Sequence, residues 1–237
     1  KMFRDAVNTG DTYAGNTVTL TADIDLGNDE WTPIAYMGKT FKGTFDGNGK
    51  TISNLKIADE DLDCAGLFGY ATGATIKNVN IKNVDIKAYS HAAPVVGHMY
   101  TGNIENCHVS GSIKVVAQYA YAAGITADGY VNVRNCSVIA DEATRGVITV
   151  VEKTGAGGIT GWRGEGNLVI ENCTVKNLDI TAWASLGGIS GIVHYNNTVK
   201  GCVVANVTLT KTRENGQASV GLVCGNWEDK DDGNYTI

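Results

Sequence analysis

A repeat of about thirty residues constrains this chain more than any other feature, because a unit of that length cannot bury its apolar face alone and must stack on its neighbours. A small-residue segment recurs as AGLFG at 65–69, APVVG at 93–97, AGITA at 123–127, GGITG at 157–161, GGISG at 187–191 and VGLVCG at 220–225. Its second position falls at Gly66, Pro94, Gly124, Gly158, Gly188 and Gly221, with intervals of 28, 30, 34, 30 and 33 residues. Uneven intervals fit a solenoid with variable loops better than a helical repeat of fixed length. A second anchor reads ISNLKI at 52–57, IKNVNI at 76–81, IENCHV at 104–109, VRNCSV at 133–138, IENCTV at 170–175 and VKGCVV at 199–204.

Within the second anchor, Val79 and Ile81 alternate as on one face of a strand, and the three-residue step from Ile76 requires a bend at Asn78. The bend position reads Asn54, Asn78, Asn106, Asn135 and Asn172, then Gly201; a second bend reads Asn83, Gly111, Asn177 and Asn206. Asn and Gly share little except tolerance of left-handed backbone angles, so their exchange predicts positive φ at both bends. The Asn amides are also placed to stack from coil to coil. Cys107, Cys136, Cys173 and Cys202 take the inward position that Leu55 and Val79 hold in earlier rungs, which predicts a buried column of inert thiols. A metal or redox site is the alternative, but the spacings are coil repeats rather than CxxC pairs and no His accompanies each Cys. Cys64 and Cys224 stand outside the column, with their pairing left open.

The expected fold is therefore all-β, a right-handed parallel β-helix of about six to eight coils. Two prolines and thirty glycines among 237 residues agree with strands joined by tight turns. Phe3, Ala6 and Val7 have helical spacing before Gly10, which predicts a short N-terminal capping helix. One domain is expected over 1–237, with 1–57 as cap and entering coils and 58–237 as repeat coils. The last residues, NYTI, bring Ile237 into line with Ile76, Ile104 and Ile170, so a coil cut part-way, or completed by further sequence, is expected there. The net charge of −6 comes without a basic cluster, which argues against a nucleic-acid or anionic-membrane partner. No apolar run approaches the roughly 20 residues of a spanning helix, so no direct membrane insertion is expected. An export signal is expected outside these residues.

The stretches TYAGNTVTLTADIDL at 12–26, EWTPI at 30–34, FKGTFDGNGKTISNLKI at 41–57 and AGLFGYATGATIKNVNI at 65–81 carry a family resemblance. They are similar to the GLUG-repeat proteins of bacterial surfaces and secretions, whose Gly-Leu-any-Gly motif is matched by Gly66, Leu67, Phe68 and Gly69. The resemblance implies a pectin-lyase-like β-helix, an extracellular or cell-surface location, and adhesion or matrix contact. It implies no common catalytic residues, and fold alone does not establish function.

Catalytic and metal-binding residues are not assigned, and no cofactor is expected. Asp59, Glu60, Asp61 and Asp63 in one loop, and Asp229, Asp231 and Asp232 in another, read as solvated loop charge. His98 and His108 have no evident carboxylate partner by repeat position. Aromatic residues offer the better site: Tyr70, Tyr100, Tyr130, Trp162, Tyr195 and Trp227 follow the Gly-rich segment, one per coil. A second set, Tyr89, Tyr119 and Trp183, precedes it, with Lys153 in the intervening coil. The two sets are expected as walls beside a floor nearly free of side chains, a shape that suits a glycan or a host or matrix protein; the plainer reading is that they cover apolar surface at loop bases. The preferred function is a non-catalytic, adhesin-like module. A polysaccharide lyase or hydrolase and a passive structural stalk are the alternatives. Ligand identity and oligomeric state stay open.

Overall fold

The computed structural model describes residues 1–213 and 219–228, with the side chains of Trp227 and Glu228 left aside. Asp229, Asp231, Asp232 and Ile237 fall outside the described residues, and with them the expectation about the last coil. The chain is a parallel β-solenoid of about seven turns preceded by one short helix. Each coil crosses three parallel sheets in turn, of six, eleven and eight strands among the described residues. One coil shows the course: Tyr121–Ala123 lies in the six-stranded sheet, Thr126–Arg134 in the eleven-stranded sheet, and Ser137–Ala140 with Gly146–Val150 in the eight-stranded sheet.

Register explains why the repeat holds the fold together. Phe45, Ile76, Ile104, Val133, Ile170 and Val199 are successive partners across the eleven-stranded sheet, all buried. On the eight-stranded sheet the same is true of Ile57, Ile86, Val115, Ile148 and Ile180. Each such side chain contributes roughly 1.5–3 kcal/mol by leaving water, and like residues stacked in register form one continuous core.

The bends have the left-handed backbone that the Asn/Gly exchange requires. The first column, Asn78, Asn106, Asn135, Asn172 and Gly201, has φ of 54, 51, 53, 54 and 62°. In the second, Asn83, Gly111, Asn177 and Asn206 have φ of 58, 81, 61 and 53°. Side-chain amides bridge coils in both: Asn106 Nδ2 donates to Asn78 Oδ1 at 3.2 Å, and Asn206 Nδ2 to Asn177 Oδ1 at 2.9 Å. Asn54 belongs to the second column rather than the first. Its partner is Asn83, whose Nδ2 donates to Asn54 Oδ1 at 3.1 Å, and Ile52 and Leu55 pair with Ile81 and Val84. Leu55 is therefore not a forerunner of the cysteines, whereas Val79 is: His108 N bonds the Val79 carbonyl as Ser137 N bonds that of Cys107.

Cys107, Cys136 and Cys173 are buried thiols, and Cys202 is half-buried. Each Sγ faces the carbonyl two residues before it: Glu105 at 3.4 Å, Arg134 at 3.2 Å, Glu171 at 3.4 Å and Lys200 at 3.4 Å. Cys64 and Cys224 are free as well. Burial raises Cys136 well above its ordinary value and Cys224 to about 12, while hydrogen bonding with Cys136 raises Cys173 to about 12. A thiol whose folded value is raised keeps its proton where the unfolded chain, near 9, has lost it. Its contribution is complete below about pH 9 and is lost as pH climbs toward 12. Urea unfolding between these limits should show stability falling with pH. The slope should be shallower in Cys136→Val by about 1.4 kcal/mol per pH unit; an unchanged slope would mean that this thiol is not desolvated.

The helix Met2–Thr9 closes the first coil, ending at Gly10 with φ of 121°. Val7 is buried, and Phe3 packs against Tyr13, Phe41 and Phe45 at ring separations of 5.0, 5.7 and 5.9 Å. Asn8 fixes the helix to the next segment, accepting from Ala35 N at 2.7 Å and donating to Pro33 O at 3.0 Å. One interior feature had no counterpart in the sequence reading. Arg163 is fully buried, and its three guanidinium nitrogens have no hydrogen-bond partner among the described residues. Burial depresses it to about 9.

Candidate functional site

The glycines of the small-residue segment have two structural causes. A Cβ on Gly124, Gly158 or Gly188 would lie 2.3, 2.2 or 2.1 Å from a carbonyl oxygen of the next coil, and 2.5–2.8 Å from Val138, Val175 or Val204. This column is bare because the interior is crowded. The second column, Gly97, Gly161 and Gly191, lies where the eleven-stranded and six-stranded sheets approach backbone to backbone; a Cβ on Gly97 would meet Ala65 N at 2.9 Å. Outward side chains of the two sheets consequently converge along a crease. The floor expected to be nearly free of side chains is instead occupied, because the glycines face inward or backbone while their neighbours face out.

On one side of the crease Cys64, His91 and Tyr121 are register partners in the six-stranded sheet. On the other, Tyr70, His98 and Asp128 are partners in the eleven-stranded sheet. Asp128 Oδ2 lies 3.1 Å from His91 Nε2 and 3.2 Å from His98 Nδ1. The opposite side of the His91 ring faces Cys64 Sγ at 3.6 Å and Asp63 Oδ1 at 4.0 Å, and Tyr70 donates to Asp63 Oδ2 at 2.6 Å. Burial works to raise Asp128, but the two imidazoles outweigh it and hold the carboxyl below its ordinary range. Burial, reinforced by the Asp63 hydrogen bond, raises the Tyr70 phenol.

Two sequence expectations are corrected by this cluster. His98 does have a carboxylate partner by repeat position, since Asp128 is its register neighbour one coil on. Asp63 is more than loop charge, because it engages Tyr70 and the His91 edge, although its side chain stays 59% exposed. His108 stands elsewhere, on the eight-stranded sheet, with Ser137 Oγ at 2.9 Å. Asp59 and Glu60 bond locally or pair with Lys87 at the surface.

Beside the cluster the rings form a ladder. Tyr100 meets Tyr130 at 5.6 Å, Tyr130 meets Trp162 at 5.5 Å, and Trp162 meets His194 at 5.1 Å. His194 extends the ladder where Tyr195 was expected; Tyr195 pairs with Glu165, which raises its phenol. Tyr121 leans on Trp162 at 6.3 Å, tying the ladder to the crease. Gly164 leaves the space in which the Tyr130 ring lies, for a Cβ there would sit 2.2 Å from that ring. The second set forms its own stack, with Tyr89 and Tyr119 at 4.7 Å and Lys153 Nζ 4.8 Å over Tyr119. Trp183 stacks under Arg213 at 4.3 Å. For Trp227 only the backbone is described, paired with Val193. A cleft of about 880 Å³ opens beside the capping helix, lined by Phe3, Leu20, Leu26, Trp31 and Phe45 among others. It had no signal in the repeat, and it shares Leu67 with the coil that supplies Cys64 and Tyr70.

With this geometry in view, comparison with known proteins bears on the chain. Residues 10–111 match the family model described as the M26 IgA1-specific metallo-endopeptidase N-terminal region. That stretch contains the GLUG-like segment at 41–81. Halomucin of Haloquadratum walsbyi is 32% identical over 136 residues, which is 52% of this chain and 2% of that protein. A crystal structure from Bacteroides ovatus, described as a candidate immunoglobulin A1 protease, superimposes with a TM-score of 0.63 at 18% identity. The alignment covers 94% of this chain and 81% of that one, and it establishes a shared fold. No His-Glu-x-x-His occurs in the 237 residues, so the zinc-helix motif of many metallo-peptidases is absent from this sequence.

Proposed function

We propose that this solenoid is a non-catalytic binding module of a secreted or cell-surface protein, holding an elongated glycan or protein partner along the ring ladder. The observation that carries the reading is the unbroken contact of Tyr100, Tyr130, Trp162 and His194 across four coils beside the crease. Successive rings, one coil apart, meet edge to face at interplanar angles of 60, 80 and 69°, so the ladder offers alternating ring faces and edges to a linear partner. Tyr100 and Tyr89 are 56% and 46% exposed, so both stacks offer ring surface to a ligand. The extracellular setting is supported by the family description, since a protease specific for an immunoglobulin meets its substrate outside cells.

A second reading, cleavage of a polysaccharide, draws on the convergence of Asp63, His91, His98 and Asp128. One experiment separates the two. The chain is screened against glycan, glycopeptide and polysaccharide arrays with and without calcium, followed by assay for reducing or unsaturated ends. Binding without new ends is the expected result; release of product would transfer the function to the carboxylate and imidazole cluster.

A further inference from the structure

We propose that His91, His98 and Asp128 form a binding site for a divalent first-row transition ion such as Zn²⁺, open on its remaining side to the crease. The ligand atoms of the three residues lie within 4.8 Å of one another. Zinc bonds to imidazole nitrogen and carboxylate oxygen are about 2.0–2.2 Å, so neighbouring ligands on a tetrahedral ion are about 3.3–3.5 Å apart. The observed Nε2 to Oδ2 and Nδ1 to Oδ2 separations, 3.1 and 3.2 Å, need only a small expansion to admit the ion. Two imidazoles with one carboxylate select the transition series over calcium or magnesium, which require more oxygen donors.

Two further observations separate this trio from an ordinary hydrogen-bonded cluster. Asp128 Oδ1 is buried without a hydrogen-bond partner among the described residues, while Oδ2 faces both imidazoles. A carboxylate so placed has acceptor capacity that a cation would use. The far side of the His91 ring is also held. With His91 Nε2 on the metal, its Nδ1 faces Cys64 Sγ at 3.6 Å, and the Asp63 carboxylate stands 4.0 Å away, beyond direct hydrogen-bond length. Tyr70 in turn holds Asp63 through the 2.6 Å hydrogen bond. His91 and His98 come from one coil and Asp128 from the next, so a bound ion would clamp adjacent coils. The site does not depend on the rings binding a partner.

The test is equilibrium binding of Co²⁺ and Zn²⁺ to the intact chain at neutral pH, with visible absorption of the Co²⁺ form. About one ion per chain is expected, with at least tenfold weaker binding in Asp128→Asn and in His98→Gln and no change in His108→Gln. Should either variant lose its fold by circular dichroism, imidazole C–H resonances of the unaltered chain decide. Co²⁺ should shift or broaden those of His91 and His98 and leave His108 unmoved. Failure of the chain to bind either ion, tight binding retained by folded Asp128→Asn, or equal effects on His108 would overturn the site.

Discussion

Phe68→Ala should cost about 3–5 kcal/mol of folding free energy, the largest single-residue loss expected for this chain. Phe68 is fully buried and lies at the junction of the cap with the first complete coil. Its ring meets Phe41 at 5.1 Å, Phe45 at 5.2 Å and Phe3 of the capping helix at 6.5 Å. Its backbone bridges Ile34 and continues the ladder to Val96. Truncation would leave a cavity bounded by other rings, which cannot collapse around it without shifting the helix. Chemical denaturation should show the loss. Hydrogen exchange should show residues 2–9 and 34–45 deprotected before the later coils, since a solenoid couples mainly to its nearest neighbours. A loss below about 1 kcal/mol, or uniform deprotection along the chain, would contradict the packing described.

Gly158→Ala is the second large effect, with an expected cost of about 3 kcal/mol, at the upper end for overpacking. The new Cβ would stand 2.2 Å from the Gly188 carbonyl oxygen and 2.7 Å from both Val175 methyls. The obstacle is backbone of the adjacent coil, which cannot move without breaking the ladder on either side. Gly164→Ala is the control, because its Cβ would also meet an atom at 2.2 Å. There the obstacle is a side chain rather than backbone, so the Tyr130 ring can yield at the expense of its contacts with Tyr100 and Trp162, and the stability cost should be smaller than in Gly158→Ala. Equal thermal stability in the two alanine variants would show that coil separation is softer than the structure indicates.

Much of the fold was legible because a solenoid writes its register into the sequence. The bends could be read from the exchange of Asn106, Asn135 and Asn172 for Gly201, since φ near +55° penalises most other residues. Asn54 was misplaced for a physical reason: both bends of a coil obey the same apolar and Asn pattern, so IKNVNI and IKNVDI overlap at Ile81. Spacing discriminates between them. Ile52 precedes Ile76 by only 24 residues but Ile81 by 29, and the second interval is the coil length.

The site was half legible. His98 and Asp128 each follow the small-residue segment directly, as Tyr70 and Trp162 do, so the alignment already placed them in one column. What the alignment lacked was the bend between two sheets that turns His91, seven residues before His98, onto Asp128 of the next coil. Loops of unequal length hide such contacts from any periodic reading. Arg163 was unreadable for a different reason. Alternation from the outward Trp162 puts it on the inner face, beside its register partner Val193, but a charged residue is not expected there.

The central claim is that the ladder through Tyr130 and Trp162 is a ligand-bearing surface rather than cover for apolar loop bases. The measurement that tests it most directly is affinity of the double variant Tyr130→Ala, Trp162→Ala, beside the unaltered chain, for the strongest partner found on the arrays. Two lost stacking contacts at about 1 kcal/mol each predict at least a tenfold loss of affinity with the far-ultraviolet circular dichroism unchanged. A folded double variant that binds as tightly as the parent, or a parent that binds no glycan, glycopeptide or protein presented to it, would contradict the claim.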